Sequence, residues 1–162
     1  MKKRNIAITV YLILTIVFYG GCKITDGLSK EEKISFYENK IINTNYIFIP
    51  SSAIPSNGMK TVHLNSSYAL KISKDTIISY LPYFGRAYTA PYPNGEGGIK
   101  FSSTDFEYKT SPKNKGMWNI NIETKDTTPK YKLILNIGET GYTTLIVQEN
   151  NRQSISFYGQ IE

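Results

Sequence analysis

From Asn45 onward, stretch after stretch has apolar residues at every second position, and this alternation sets narrow limits on the fold. Successive side chains of a strand point to opposite faces, so strict alternation buries one face and wets the other. Tyr46 and Phe48 alternate with Ile47 and Ile49, and Val62 and Leu64 flank His63. Tyr68, Leu70 and Ile72 alternate with Ala69, Lys71 and Ser73. Phe106 and Tyr108 alternate with Asp105, Glu107 and Lys109. Trp118, Ile120 and Ile122 follow the same rule, as do Tyr131, Leu133, Leu135 and Ile137, and finally Ile155, Phe157 and Ile161. Antiparallel sheets have this one-sided character. The intervening stretches Ser73-Lys74-Asp75, Pro112 to Gly116, Gly138 to Gly141 and Glu149 to Arg152 are compact turn sequences with no room for a crossover helix. Residues 45–162 therefore read as one mainly β domain, with a meander of hairpins from Ile99 onward. A curved, barrel-like sheet is the favoured form, because sequential hairpins close naturally that way. A two-layer sandwich has the same pattern.

A different period precedes the sheet. Ile34, Tyr37 and Ile41 are spaced as on one helix face, and Ser29 stands where an N-cap would be, with Glu31 and Glu32 in the first turn. One short helix to about Ile42 is expected, its apolar stripe covering an opening or face of the sheet. The alternative is a partly ordered linker.

The first 21 residues have another purpose. Lys2, Lys3 and Arg4 lead into an apolar run from Ile6 to Phe18, and Gly20-Gly21 precede Cys22. Basic start, apolar middle and small-residue cleavage site are the three parts of a signal peptide. The run is short beside the roughly 20 residues of a membrane span. Cys22, directly after small residues, is the expected lipidation site, making residues 22–44 a lipid-anchored tether and helix. Tyr19 stands where a lipobox usually has an aliphatic residue. An ordinary secreted protein with a free thiol, or an uncleaved anchor, is the alternative. Cys22 is the only cysteine, so no intrachain disulfide competes for it.

Charge and residue counts narrow the chemistry. Half of the formal charge of +6 belongs to Lys2, Lys3 and Arg4, and the remaining lysines are scattered among acids. No dense basic block exists to track nucleic-acid phosphates, so no nucleic-acid partner is expected. His63 is the only histidine. It has neither a nucleophile motif nor fellow ligands, so no metal, cofactor or catalytic residue is assigned, and the chain is not expected to be an enzyme. Asp105 and Glu107 share a strand face and read as a solvated exterior; Glu96 stands alone.

The segment Ser79 to Tyr92, followed by Pro93 to Gly98, departs from the regular pattern. Tyr80, Tyr83, Tyr88 and Tyr92 surround Arg86, and proline and glycine interrupt any ladder. Tyrosine combines an apolar face with a polar tip, which suits sugars, peptides or a protein surface. These five residues are the candidate ligand contacts. The structural alternative makes them a plug or a kinked corner of the barrel. Arg152, in the last turn, is expected to hydrogen-bond a neighbouring turn.

The segments Tyr80-Leu81-Pro82-Tyr83-Phe84-Gly85-Arg86-Ala87-Tyr88, Gly97 to Phe101, Asp105 to Tyr108, Asn151-Arg152-Gln153 and Ile155 to Gly159 resemble a bacterial envelope family known as domain of unknown function 4251. The resemblance runs from about Asn45 to Glu162 and implies a small exported lipoprotein of a Gram-negative cell envelope, held at the outer membrane. It carries over no catalytic or binding residue. The expected role is a non-catalytic binding module for a glycan, peptide or small apolar ligand, or else an accessory protein docking on another envelope protein. An enclosed pocket lined by the tyrosines would favour a ligand; a filled interior with an aromatic exterior would favour docking.

Overall fold

The computed structural model describes residues 27–56, 58–65, 67–88, 97–114 and 116–162. The expected signal peptide, Cys22, Tyr92 and Glu96 lie outside the described residues. Helix α1 (Lys30–Ile42) begins with a capping box. The Ser29 hydroxyl accepts the Glu32 N–H at 3.3 Å, and the Glu32 carboxylate accepts the Ser29 N–H at 2.8 Å. Two otherwise orphaned backbone donors are satisfied. Ile34, Tyr37 and Ile41 are buried, as their spacing required.

Ten strands follow: β1 (Tyr46–Pro55), β2 (Val62–His63), β3 (Ala69–Ile72), β4 (Ile77–Pro82), β5 (Gly98–Ser103), β6 (Phe106–Asn114), β7 (Met117–Thr124), β8 (Lys132–Ile137), β9 (Tyr142–Glu149) and β10 (Arg152–Ile161). They form one antiparallel sheet in the order β5-β4-β3-β1-β10-β9-β8-β7-β6, with β2 added to β1. The sheet is curled into a half-barrel, so the sandwich alternative falls. Inward residues fill its concave side: Phe48, Leu70, Ile72, Ile77, Leu81, Leu133, Leu135, Leu145 and Phe157 are all 0% exposed. Tyr46, buried among them, meets Tyr108 of the edge strand β6, their hydroxyls 3.1 Å apart. A bulge between Pro50 and Ser52 lets β1 turn without losing its pairing to β10.

Two details depart from the sequence expectation. Ile77–Pro82 is a regular strand with Ile77, Ser79 and Leu81 inward, whereas the polar Ser79 had masked the alternation. Ser79 is tolerated there because its hydroxyl donates to Ile99 O at 2.8 Å. Second, β5 and β6 are consecutive in the chain but form the two opposite edges of the sheet, so the meander begins at β6 rather than at Ile99. Asp126, from the β7–β8 loop, takes the Ser103 hydroxyl and the backbone N–H groups of Thr104 and Asp105. Those bonds pin the two-residue turn by which the chain passes from one edge of the curled sheet to the other.

Helix α1 covers one end of the half-barrel. Its Ile34 and Tyr37 rest on Gly116 and Gly141, the turn glycines of β6–β7 and β8–β9, both at φ near +77°. A methyl group at Gly141 would overlap the Tyr37 ring. Lys30 adds an ion pair to Glu139 at 2.7 Å.

Candidate functional site

At the opposite end, segments distant in sequence converge on Arg152. Its Nε lies 3.0 Å from Glu149 Oε1, and its Nη1 donates to Gly98 O at 3.0 Å. The same guanidinium sits 5.0 Å above the centre of the Tyr83 ring, within the range of cation–π attraction. The single proton of the Tyr83 hydroxyl is shared between Arg86 O at 2.9 Å and Gln153 O at 3.0 Å. Main-chain bonds complete the tie: Tyr88 N–H donates to Asn151 O, Gln153 N–H donates to Arg86 O, and Ala87 bridges Arg152. Strand β5 runs across this end. Gly98 receives Arg152, Phe101 stacks on Tyr131 with ring centres 4.3 Å apart, and Ser103 reaches Asp126.

The electrostatics of this knot follow from burial. The Glu149 side chain is 5% exposed, and its Oε2 has no hydrogen-bond partner among the described residues. Desolvation pushes its carboxyl above the ordinary value, against the opposing pull of Arg152. Burial likewise raises the Tyr83 and Tyr131 phenols. Asp126 shows the reverse: the Ser103 hydroxyl, with the Thr104 and Asp105 N–H groups, lowers it to about 2.

The four candidate contacts that are described, Tyr80, Tyr83, Arg86 and Tyr88, are not gathered into one site. Tyr83 belongs to the knot, and its hydroxyl is already used. Tyr80 points outward from β4, stacked on Tyr68 at 5.7 Å with the Lys100 ammonium 4.8 Å from its ring centre. Tyr88 is exposed. Arg86 is exposed too, and it ties Gln153 through its main chain. The cation over the aromatic ring is Arg152, and the hydrogen bond expected of it toward a neighbouring turn goes instead to Gly98 at the start of β5. Sequence reasoning missed Glu149 altogether, because in a turn reading Glu-Asn-Asn-Arg an acid looks solvated. His63 is exposed, Asp105 lies in the β5–β6 turn, and Glu107 pairs with Lys109 at 2.7 Å. No cluster of three or more potential metal-ligating side chains occurs among the described residues.

The open hollows among the described residues include the following three. One of about 400 Å³ separates α1 from the β6–β7 tip and is bordered by Glu31, Glu38, Lys113 and Trp118. One of about 280 Å³ lies beside Glu149 and Tyr131. One of about 230 Å³ lies on the outer sheet face, between Met117, Asn136, Tyr142 and Tyr158. Tyr80, Tyr83, Arg86 and Tyr88 line none of these three.

Comparison with known proteins agrees with this architecture. A crystal structure of a DUF4251 family protein from Bacteroides eggerthii DSM 20697 superposes with a TM-score of 0.60 at 13% identity, over 82% of this chain and 91% of that one. At that identity the likeness establishes the fold alone. No curated protein matches the chain. The family described as Domain of unknown function (DUF4251) matches residues 28–161, a span that includes Tyr83, Gly98, Phe101 and Arg152, the residues the knot draws together. The chain belongs to the DUF4251 family.

Proposed function

We propose that this is an exported envelope protein, lipid-anchored at Cys22 to the outer membrane, whose domain binds an extended partner on its outer surface without catalysing a reaction. The observation that carries the binding reading is where the aromatic residues stand. The concave side is filled by residues at 0% exposure, while Tyr80, Tyr88, Tyr142 and Tyr158 are 42–63% exposed. A small apolar ligand needs an enclosed, mostly apolar cavity. The hollows bordering this molecule are open and partly polar, which suits contact along a surface.

A second reading is docking on another envelope protein, which a filled interior with an aromatic exterior favours over an enclosed ligand. One experiment addresses anchoring and binding together. Cells producing wild type and Cys22→Ser are labelled with palmitate, fractionated and treated with a crosslinker. The proposal expects label and membrane retention only in wild type, with a partner captured through the outer sheet face. Unlabelled wild type would defeat the anchor, and a wild type that captures neither glycan nor protein would defeat the binding role.

A further inference from the structure

We infer that the outer face of β7–β10, beside the β6–β7 tip, is a glycan-binding site built around Tyr142 and Tyr158. This deepens the surface-binding reading above and rests on it. The register places Asn119 opposite Asn136, Asn136 opposite Thr144, and Thr144 opposite Tyr158. These four residues make a straight row across four strands, about 14 Å long at the usual strand spacing. Tyr142 lies diagonally beside Tyr158, the two rings parallel within 6° and their centres 5.9 Å apart. Both rings are about half exposed, at 52% and 42%.

The row's hydrogen-bonding groups are ordered from one side. Asn121 Nδ2 donates to Asn119 Oδ1 at 2.8 Å, and Asn119 Nδ2 donates to Asn136 Oδ1 at 2.9 Å. The chain of amides holds the Asn136 side chain in place through its oxygen. Asn136, Thr144 and both tyrosines border the hollow of about 230 Å³. An amide, a hydroxyl-bearing residue and a stacked tyrosine pair beside one shallow hollow match the chemistry of a sugar. Its C–H face packs on an aromatic ring while its hydroxyls exchange hydrogen bonds with amides. The hollow is smaller than the roughly 300–1,000 Å³ that holds a drug-sized ligand, so it suits one ring of a longer chain lying along the row. Among the described residues, Lys113 is the one charged residue on its border, which fits a largely uncharged partner.

The test presents full-length protein in detergent micelles to peptidoglycan sacculi, chitin and a printed array of neutral and acidic oligosaccharides. Wild type is expected to bind at least one of these. Tyr142→Ala and Tyr158→Ala should each weaken that binding about three- to tenfold. Asn136→Ala should weaken it too, and Tyr158→Phe should largely retain it. His63→Ala, an exposed position on β2 away from the row, should leave it unchanged, and all variants should still unfold cooperatively, because these side chains lie outside the core. Wild type that binds no glycan, or binding that survives the Tyr142→Ala/Tyr158→Ala pair, overturns the inference. A crosslinked protein partner without any glycan overturns it as well, yet leaves the surface-binding reading standing. Capture of nothing at all defeats both.

Discussion

At one end of the half-barrel, α1 lays Ile34 and Tyr37 on the glycines of two hairpin turns. At the other, Arg152 ties Tyr83, Glu149 and Gly98 together through charge and hydrogen bonds. Both ends are closed, by different physics. The helical cap relies on apolar burial and steric fit, which depend little on salt or pH. The knot takes an ion pair largely out of water, where a missing partner costs more than a present one contributes. The cap is thus tolerant of its surroundings, and the knot is specific about which segments may meet.

The comparison breaks most visibly at Arg152. Arg152→Ala strands the Glu149 charge in a buried site and should lower unfolding free energy by about 3–5 kcal/mol, read from urea denaturation. Removing Glu149 in the same chain should recover part of the loss; an unchanged loss would show that packing of Arg152, not its charge, holds this end. At the cap, Gly141→Ala forces a left-handed backbone on alanine and drives a methyl into Tyr37. The expected loss is about 1–3 kcal/mol. In a Tyr37→Ala background the steric part should vanish, and a fully additive pair would refute the seat described for the helix.

A pH series sharpens the contrast further. Glu149 has a raised folded value, so its preference for the fold is complete below the ordinary value of 4.5 and is lost as pH climbs through the raised one. The urea midpoint of wild type minus that of Glu149→Gln should therefore fall as pH rises above the ordinary value of 4.5. A flat difference would mean the carboxyl is solvated. Asp126 works the other way: its contribution is present above its ordinary 3.8 and fades as pH drops toward about 2. The smallest effect belongs to Ser29→Ala, which removes one exposed cap and should cost about 0.5–1 kcal/mol in a thermal melt.

The cap was legible in sequence and the knot was not. Ser29, Glu32, Ile34, Tyr37 and Ile41 lie within one local window, and helix chemistry acts over that range. Alternation identified most strands, because each strand reports its own buried face. It reports no neighbours, so the separation of β5 from β6 was hidden. Contacts in the knot span 54 residues from Arg152 to Gly98 and 70 from Tyr83 to Gln153. Among several tyrosines near Arg86, nothing local indicates that a different arginine will sit over Tyr83. The outer row of Asn119, Asn136, Thr144 and Tyr158 is likewise a product of register, with no trace in any single strand.

Strand β10 lies at the middle of the sheet, paired with β1 on one side and β9 on the other. The two halves, β1–β5 and β6–β10, meet along that seam, where Phe48 faces Ile161. During synthesis the early half has nothing to close against until residues 152–161 have left the ribosome. Joining the seam requires closing a loop over nearly the whole domain, a slow step in chain folding. The two halves thereby stay unjoined until β10 has been made, which under the export reading would leave the chain open for passage through a membrane before it takes shape on the far side.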